Sequence, residues 1–322
     1  MLPADIKDFN QQFVYQPEIK NAGRLKKFKK FVVVGVGGSN LAAGLIKIAE
    51  PNSDIIIHRD YGLPAASDLK ERLIICSSYS GNTEEVINAL DLAIKKKLAV
   101  AVIATGGKLL KKAKAKRVPY IILPNVDMQP RSAIGYATLA LLVAMHGDKS
   151  VRAVQRLAGV VDADDYIALG KDLAQKLRKV VPLIYASAKN ESLAYNLKVR
   201  LNETSKIPTF INVFPELNHN EMIGFNGGTV GKKLNDNFHC VFLVDPSDGA
   251  RMLKRMAATK RFYKKMGLPV TTISLAGQDA WRKIFNTIIL ADWVAYYLAE
   301  YYKVDPGPVP LVEKFKKQIA DK

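Results

Sequence analysis

The residues able to do chemistry gather in a few short stretches. The first reads Val34-Gly35-Val36-Gly37-Gly38-Ser39-Asn40, where an apolar run turns into a helical pattern. Glycines let a backbone approach a ligand, and the unpaired N–H groups at a helix start attract an anion. The second reads Ser77-Ser78-Tyr79-Ser80-Gly81-Asn82-Thr83-Glu84-Glu85 and carries hydroxyls at Ser78, Ser80 and Thr83 from a strand end into a helix start. Taken alone, Thr83 with Glu84 and Glu85 is an ordinary helix cap with acids in the first turn. Beside the glycine-rich turn it becomes part of a donor-rich pocket suited to a phosphate monoester, because open parallel sheets bind ligands at the carboxyl ends of their strands. A dinucleotide fingerprint needs glycine where Asn40 stands and an acid where the chain reads Ile56-Ile57-His58-Arg59, so a Rossmann coenzyme is not expected. No P-loop lysine follows either.

An acid and a base come from the second half of the chain. Glu203 lies in Arg200-Leu201-Asn202-Glu203-Thr204, and His219 in Asn218-His219-Asn220-Glu221 after the turn Pro215-Glu216-Leu217. His219 is one of four histidines and is bracketed by amides able to fix its tautomer. Each residue also has a plain structural reading, a solvated helix-end carboxylate and an idle loop imidazole.

These stretches must be positioned by repeated strand and helix units. Apolar runs of about four residues, such as Phe31-Val32-Val33-Val34, Leu73-Ile74-Ile75-Cys76, Val100 to Ile103 and Tyr120 to Leu123, alternate with helical patterns. Continuous rather than alternating apolarity predicts strands covered on both faces, as in a parallel sheet with crossover helices. A polar helix is expected from Asp162 to Lys179, and then the pattern restarts. Leu193, Leu197 and Leu201 share one face of a helix from Glu191 to Ser205. Further strands are expected at 210–214, 240–244 and 270–274, and a long helix from Ala280 to Tyr302. The fold class is therefore α/β, two parallel sheets flanked by helices.

Composition narrows the partners. The chain has 322 residues, 48% of them hydrophobic, and 48 Lys and Arg against 30 Asp and Glu, a net charge of +18. Such a chain buries enough apolar surface to fold. The charge raises nucleic acid, an anionic membrane or a small anionic substrate as partners. Lys20 to Lys30 and Lys108 to Arg117 each hold six basic residues, but Phe28 is the only aromatic in either. That excludes a single-strand stacking platform, and no zinc or helix-turn-helix pattern appears, so no specific nucleic acid is expected. The two cysteines, Cys76 and Cys240, lie in apolar strands and read as small hydrophobes. No apolar run is long enough to span a membrane, and Met1 to Gln12 lacks the core of a signal peptide. A cytoplasmic protein without membrane contact is expected.

The motifs together resemble those of the bifunctional phosphoglucose/phosphomannose isomerases, members of the SIS-domain sugar isomerase superfamily. The similarity rests on Gly35 to Ser39, Ser78 to Glu85, Gln129-Pro130-Arg131-Ser132-Ala133, Leu201-Asn202-Glu203, Pro215 to Glu221, and Asp305-Pro306-Gly307-Pro308-Val309. It implies two SIS domains, with an N-terminal helical segment at 1–30, a phosphate-binding domain at 31–150 and a connecting helix at 151–180. The second domain then runs over 181–304, and a C-terminal helix at 305–322 returns to the active site. It also implies an aldose–ketose isomerase interconverting glucose-6-phosphate, with mannose-6-phosphate as a second candidate aldose, and fructose-6-phosphate through a cis-enediol. No cofactor is expected, and no metal either, because no His, Cys or Asp cluster has ligand spacing. Gly38, Ser39, Ser78, Ser80 and Thr83 would hold the phosphate. Glu203 would move the proton between C2 and C1, and Arg131 would stabilise the enediolate. His219 would assist ring opening from the other subunit of a homodimer, and a C-terminal lysine, Lys314 or else Lys316, would act at the ring oxygen. Where the family commonly has threonine, linked to accepting both C2 epimers, this chain has Gly307, which offers space but no hydroxyl. The alternative within the superfamily is a non-catalytic sugar-phosphate-binding regulator.

Overall fold

A computed structural model describes residues 3–319, which divide into two compact units. After the short α1 (Pro3–Lys7), residues 7–163 with 276–286 form the first unit. Its elements are β1 (Lys30–Val34), α2 (Leu41–Ala49), β2 (Asp54–His58), β3 (Arg72–Ser77), α3 (Glu84–Lys95) and β4 (Val100–Ala104). Then come α4 (Gly107–Ala115), β5 (Tyr120–Ile122), α5 (Ile134–Ala144) and α6 (Asp148–Gln155). The five strands are all parallel, in the order β2-β1-β3-β4-β5. The order reverses at β1, so the carboxyl ends of β1 and β3 form the switch point where such sheets place ligands.

The second unit takes residues 164–275 and 287–319 with 3–6 of the described chain. It contains α7 (Ile167–Lys176), β6 (Val181–Ser187), α8 (Glu191–Glu203), β7 (Phe210–Phe214), α9 (Glu221–Gly224) and α10 (Gly228–Asn235). Next are β8 (Phe238–Val244), α11 (Ala250–Lys265), β9 (Val270–Ser274), α12 (Ala280–Tyr302), whose first turns belong to the first unit, and α13 (Pro310–Ile319). Four parallel strands run in the order β7-β6-β8-β9, again reversing at the first strand of the array.

Two-sided burial holds for the central strands only. β3 and β4 are buried along their whole length, whereas the edge strands β2, β5, β7 and β9 each keep exposed positions. An edge strand lacks a neighbour on one side, so helices cover it incompletely. In the first unit Val32, Ile74, Cys76 and Val102 pack against Val86, Leu90 and Leu109 of α3 and α4. Removing each such side chain from water contributes about 1.5–3 kcal/mol. The second core is aromatic, with Tyr185 edge-on to Phe214 and Phe242.

The helices are shorter at their starts than the apolar pattern predicts. α2 begins at Leu41 rather than Ser39 and α5 at Ile134 rather than Arg131, and residues 37–40 and 131–133 form turns instead. The polar helix expected over 162–179 reduces to α7, preceded by a single 3-10 turn at Asp164–Tyr166.

Candidate active site

In the first unit the site grows from strand pairing. β1 and β3 run in register to Val34 and Cys76, so the turns that follow them leave side by side. The Ser39 hydroxyl accepts a hydrogen bond from the Tyr79 N–H at 2.9 Å, and the Ser77 hydroxyl donates to the Ser39 carbonyl at 3.2 Å. The Ser78 and Thr83 hydroxyl oxygens are 2.8 Å apart, and the Gly81 N–H donates to the Ser78 Oγ at 3.1 Å. Thr83 occupies the cap position of α3 yet makes no side-chain bond to the helix. Simple capping therefore does not account for it; the hydroxyl is turned onto Ser78. Ser80 is exposed, its Oγ accepting the Asn82 N–H at 3.3 Å. Gly81 is required by shape: its φ is +69°, and a Cβ there would fall on the Gly106 carbonyl oxygen.

Arg131 joins this cluster through its backbone. A Cβ on Gly38 would stand 2.8 Å from the Arg131 nitrogen, so only glycine allows the two turns to touch. Arg131 is fully buried. Gln12 clamps the next turn, donating to the Ser132 carbonyl at 2.9 Å and accepting from the Gly135 N–H at 2.9 Å. Both side-chain polar atoms of buried Asn40, and the Ser132 hydroxyl, have no hydrogen-bond partner among the described residues. The structure thus brings Gly38, Ser39, Ser78, Thr83 and the Arg131 backbone together, with Ser80 exposed on the same turn. Cys76 lies beneath it with its thiol pushed up to about 12 by burial, which leaves it a packing residue.

The second unit positions the acid and the base separately. Glu203 is the last residue of α8 and half-buried. One turn earlier, Arg200 and Asp292 form an ion pair at 2.7 Å with both side chains essentially inaccessible, tying α8 to α12. The Lys206 ammonium donates to the Glu203 carbonyl at 2.5 Å and to the Pro308 carbonyl at 2.6 Å. That single cation links the end of α8 to the turn holding Gly307, whose N–H donates to Asp305 at 2.8 Å.

His219 is exposed on a loop that is fastened from beneath. Glu221 accepts hydrogen bonds from the Tyr185 hydroxyl on β6 and from Asn212 on β7, the latter at 2.6 Å. Burial raises the Tyr185 phenol well above its usual range, so it stays a donor. The flanking amides do not set the histidine tautomer by any hydrogen bond among the described residues. Asn218 bonds Thr259 at 2.8 Å, and Asn220 bonds Glu216 at 2.8 Å while capping α9 through the Glu221 N–H. Lys314 and Lys316 are both exposed on α13. Lys316 pairs with Glu313 at 2.8 Å, whereas Lys314 makes no ion pair among the described residues.

Over 309 residues the chain is 34% identical to the bifunctional phosphoglucose/phosphomannose isomerase of Caldicellulosiruptor bescii, covering 91% of this chain and 90% of that one. It belongs to the bifunctional phosphoglucose/phosphomannose isomerase family. The corresponding protein of Thermoplasma volcanium is likewise 34% identical over 301 residues, covering 92% of this chain and 93% of that one. Residues 168–319 match the bacterial phospho-glucose isomerase C-terminal SIS domain. Among solved structures, hypothetical protein TT0462 from Thermus thermophilus shares the fold with a TM-score of 0.70 at 16% identity, over 98% of this chain and 88% of that one. Family membership makes this chain an enzyme of the isomerase class and sets aside the non-catalytic regulator.

Among the described residues no helix is long and apolar enough to cross a membrane, and no three His, Cys, Asp or Glu side chains are placed to hold a metal ion. Gln12, Lys206 and Glu221 act as positioning groups that the sequence motifs do not mark as such. Glu221 had a signal, its place two residues after His219; Gln12 had none, since its partners lie about 120 residues away.

Proposed function

We propose that this enzyme interconverts glucose-6-phosphate and fructose-6-phosphate, with mannose-6-phosphate as the slower aldose. One observation carries the reading: the Thr83 hydroxyl leaves the helix it would cap and joins Ser78, in a cluster backed by Arg131. A cap lost from a helix start costs about 1 kcal/mol, so the hydroxyl serves something else. Hydroxyls and helix-start N–H groups bind the 6-phosphate, with Gly38, Ser39, Ser78, Ser80 and Thr83 as its cradle.

His219 moves the proton that opens the sugar ring. Glu203 takes the proton from C2 of the open aldose while charge passes to the C1 oxygen, giving a cis-enediolate. The same carboxyl group returns the proton to C1, and the C2 hydroxyl proton passes to the C1 oxygen. Arg131 lowers the energy of the developing negative charge, more strongly for being buried. Lys314 assists at the ring oxygen, in preference to the ion-paired Lys316.

His219 acts in the active site of a second copy. Its exposure on a braced loop supports this, as do the exposed apolar residues Ile223, Leu311 and Phe315, at 73%, 78% and 56% exposure. Leu311, Phe315 and Ile319 recur every four residues, an apolar stripe on α13 that a homodimer would cover. Gly307 leaves out the hydroxyl that would help seat the second epimer.

Turnover of the three sugar phosphates in excess chelator tests the reading. Expected are glucose-6-phosphate turnover unaffected by chelator, a lower kcat/KM for mannose-6-phosphate, and a Glu203→Gln enzyme that binds fructose-6-phosphate but turns it over at least about 10³-fold more slowly. No turnover of either aldose, or an unimpaired Glu203→Gln enzyme, refutes it.

A further inference from the structure

The charge of +18 has no role in the isomerase reading, whose phosphate cradle is made of hydroxyls and N–H groups. Thirteen Lys and Arg, with no acid among them, fall in just three stretches, 20–29, 95–97 and 111–117. The fold of the first unit gathers them. Because its strands are parallel, every segment entering a strand lies at one end of the sheet, opposite the phosphate turns. Residues 95–97 close α3 and lead into β4, and residues 111–117 close α4 and lead into β5. The 20–29 stretch crosses the same end of the sheet: it starts beside β5, where Lys20 and Tyr120 exchange backbone hydrogen bonds at 2.8 and 3.1 Å and Asn21 donates to the Val118 carbonyl at 3.2 Å, and it ends just before the first residue of β1. A bridge from Lys112 to Asp91 at 2.5 Å ties α4 to α3.

Acids offset only some of the bases at this end of the sheet. Over β2, β1 and β3 the acids Asp54, Asp68 and Glu71 neutralise Arg72 and Lys30. The remaining bases are left uncompensated: Lys26, Lys27 and Lys29 on the approach to β1, and Lys96, Lys116 and Arg117 on the approaches to β4 and β5, are exposed and make no ion pair among the described residues. Helix-end placement favours a cation or two in each last turn. It does not account for the lysines of 20–29, which end no α-helix.

We infer that this face binds the phosphate backbone of a nucleic acid, without reading its sequence. No large apolar side chain in the three stretches is exposed, so nothing is available to insert into a membrane. A lysine-rich patch without an apolar centre also lacks the makings of a protein–protein interface, in whose core lysine is depleted. Lysines act as point charges on phosphates, and only two of the thirteen bases are arginines able to fork onto a base edge. Duplex DNA and duplex RNA share this backbone chemistry. The inference does not depend on the isomerase assignment.

The test is fluorescence anisotropy of labelled duplex DNA and duplex RNA, each about 20 base pairs, against the full chain between about 50 and 200 mM salt. With about four phosphates contacted, affinity should fall about 150-fold across that range, a log–log slope near about −3.6. Lys26→Glu, Lys27→Glu, Lys114→Glu and Lys116→Glu combined should abolish binding at about 200 mM salt while leaving isomerase kinetics unchanged. The matched control, Lys254→Glu, Arg261→Glu, Lys264→Glu and Lys265→Glu on α11, alters net charge equally and should change affinity less than about threefold. Binding to one duplex but not the other supports the inference and identifies the source. Equal losses in both variants, no binding at about 50 mM salt, or binding of phosphatidylglycerol vesicles in preference to both duplexes overturns it.

Discussion

Replacing Gly38 by alanine probes whether the contact between the first two site turns matters for catalysis. The new Cβ would stand 2.8 Å from both the Arg131 nitrogen and the Pro130 carbonyl carbon, and 2.9 Å from the Pro130 Cβ. Ordinary contact begins at 3.4 Å, so the Pro130–Arg131 segment must withdraw by about 0.6 Å. The obstructing atoms are backbone rather than a flexible side-chain tip, and Arg131 is fully buried, so the displacement passes to the arginine. Misplacing a catalytic group by about 1 Å can lower rates about 10²-fold, so a shift of about 0.6 Å should lower kcat/KM by roughly tenfold. Overpacking should also cost about 1–3 kcal/mol of stability. Steady-state kinetics on fructose-6-phosphate and thermal unfolding by circular dichroism read the two effects separately. Gly159→Ala, where a Cβ meets nothing within 4 Å, is the control and should change neither. A Gly38→Ala enzyme with a lower Tm and wild-type kcat/KM would refute the link from this contact to Arg131 function.

Other perturbations have equally definite outcomes. Asp292→Ala strands Arg200 in the core and should cost about 3–5 kcal/mol, whereas Arg200→Met with Asp292→Leu should recover most of it in urea unfolding. The hydrogen bonds first of Arg72 and then of Lys30 hold the Asp68 carboxyl down at about 2, below its ordinary 3.8. A depressed carboxylate stabilises above its unfolded pKa and loses that contribution as pH falls through the folded one. Asp68→Asn should therefore lower the urea midpoint at about pH 6 and match the parent by about pH 2. Asn40→Ala should raise KM for the sugar phosphate without lowering Tm, because its polar atoms have no partner to lose among the described residues; an unchanged KM would remove Asn40 from the site. Neither cysteine should react with a maleimide at mildly alkaline pH in the folded enzyme, since burial pushes both thiols up to about 12, and rapid labelling would contradict that packing.

Much of this protein is legible in one dimension because its signals are local. Leu193, Leu197 and Leu201 announce the buried face of α8 through a four-residue spacing, and all three are buried. Apolar runs announce the central strands, and the hydroxyls of 78–83 announce a helix start. The two strand–helix arrays and the motifs at their turns can therefore be read from residue order. The folded chain was needed to show that Thr83 bonds Ser78 instead of its helix, that Gly38 touches Arg131, and that Glu221 is a brace beneath His219. It was needed equally to show that three separated lysine stretches become one face. Periodicity is set by backbone geometry within a few residues, so it survives in any short window of the chain. A contact between positions 38 and 131, by contrast, depends on strand order, register and burial, which no local window contains.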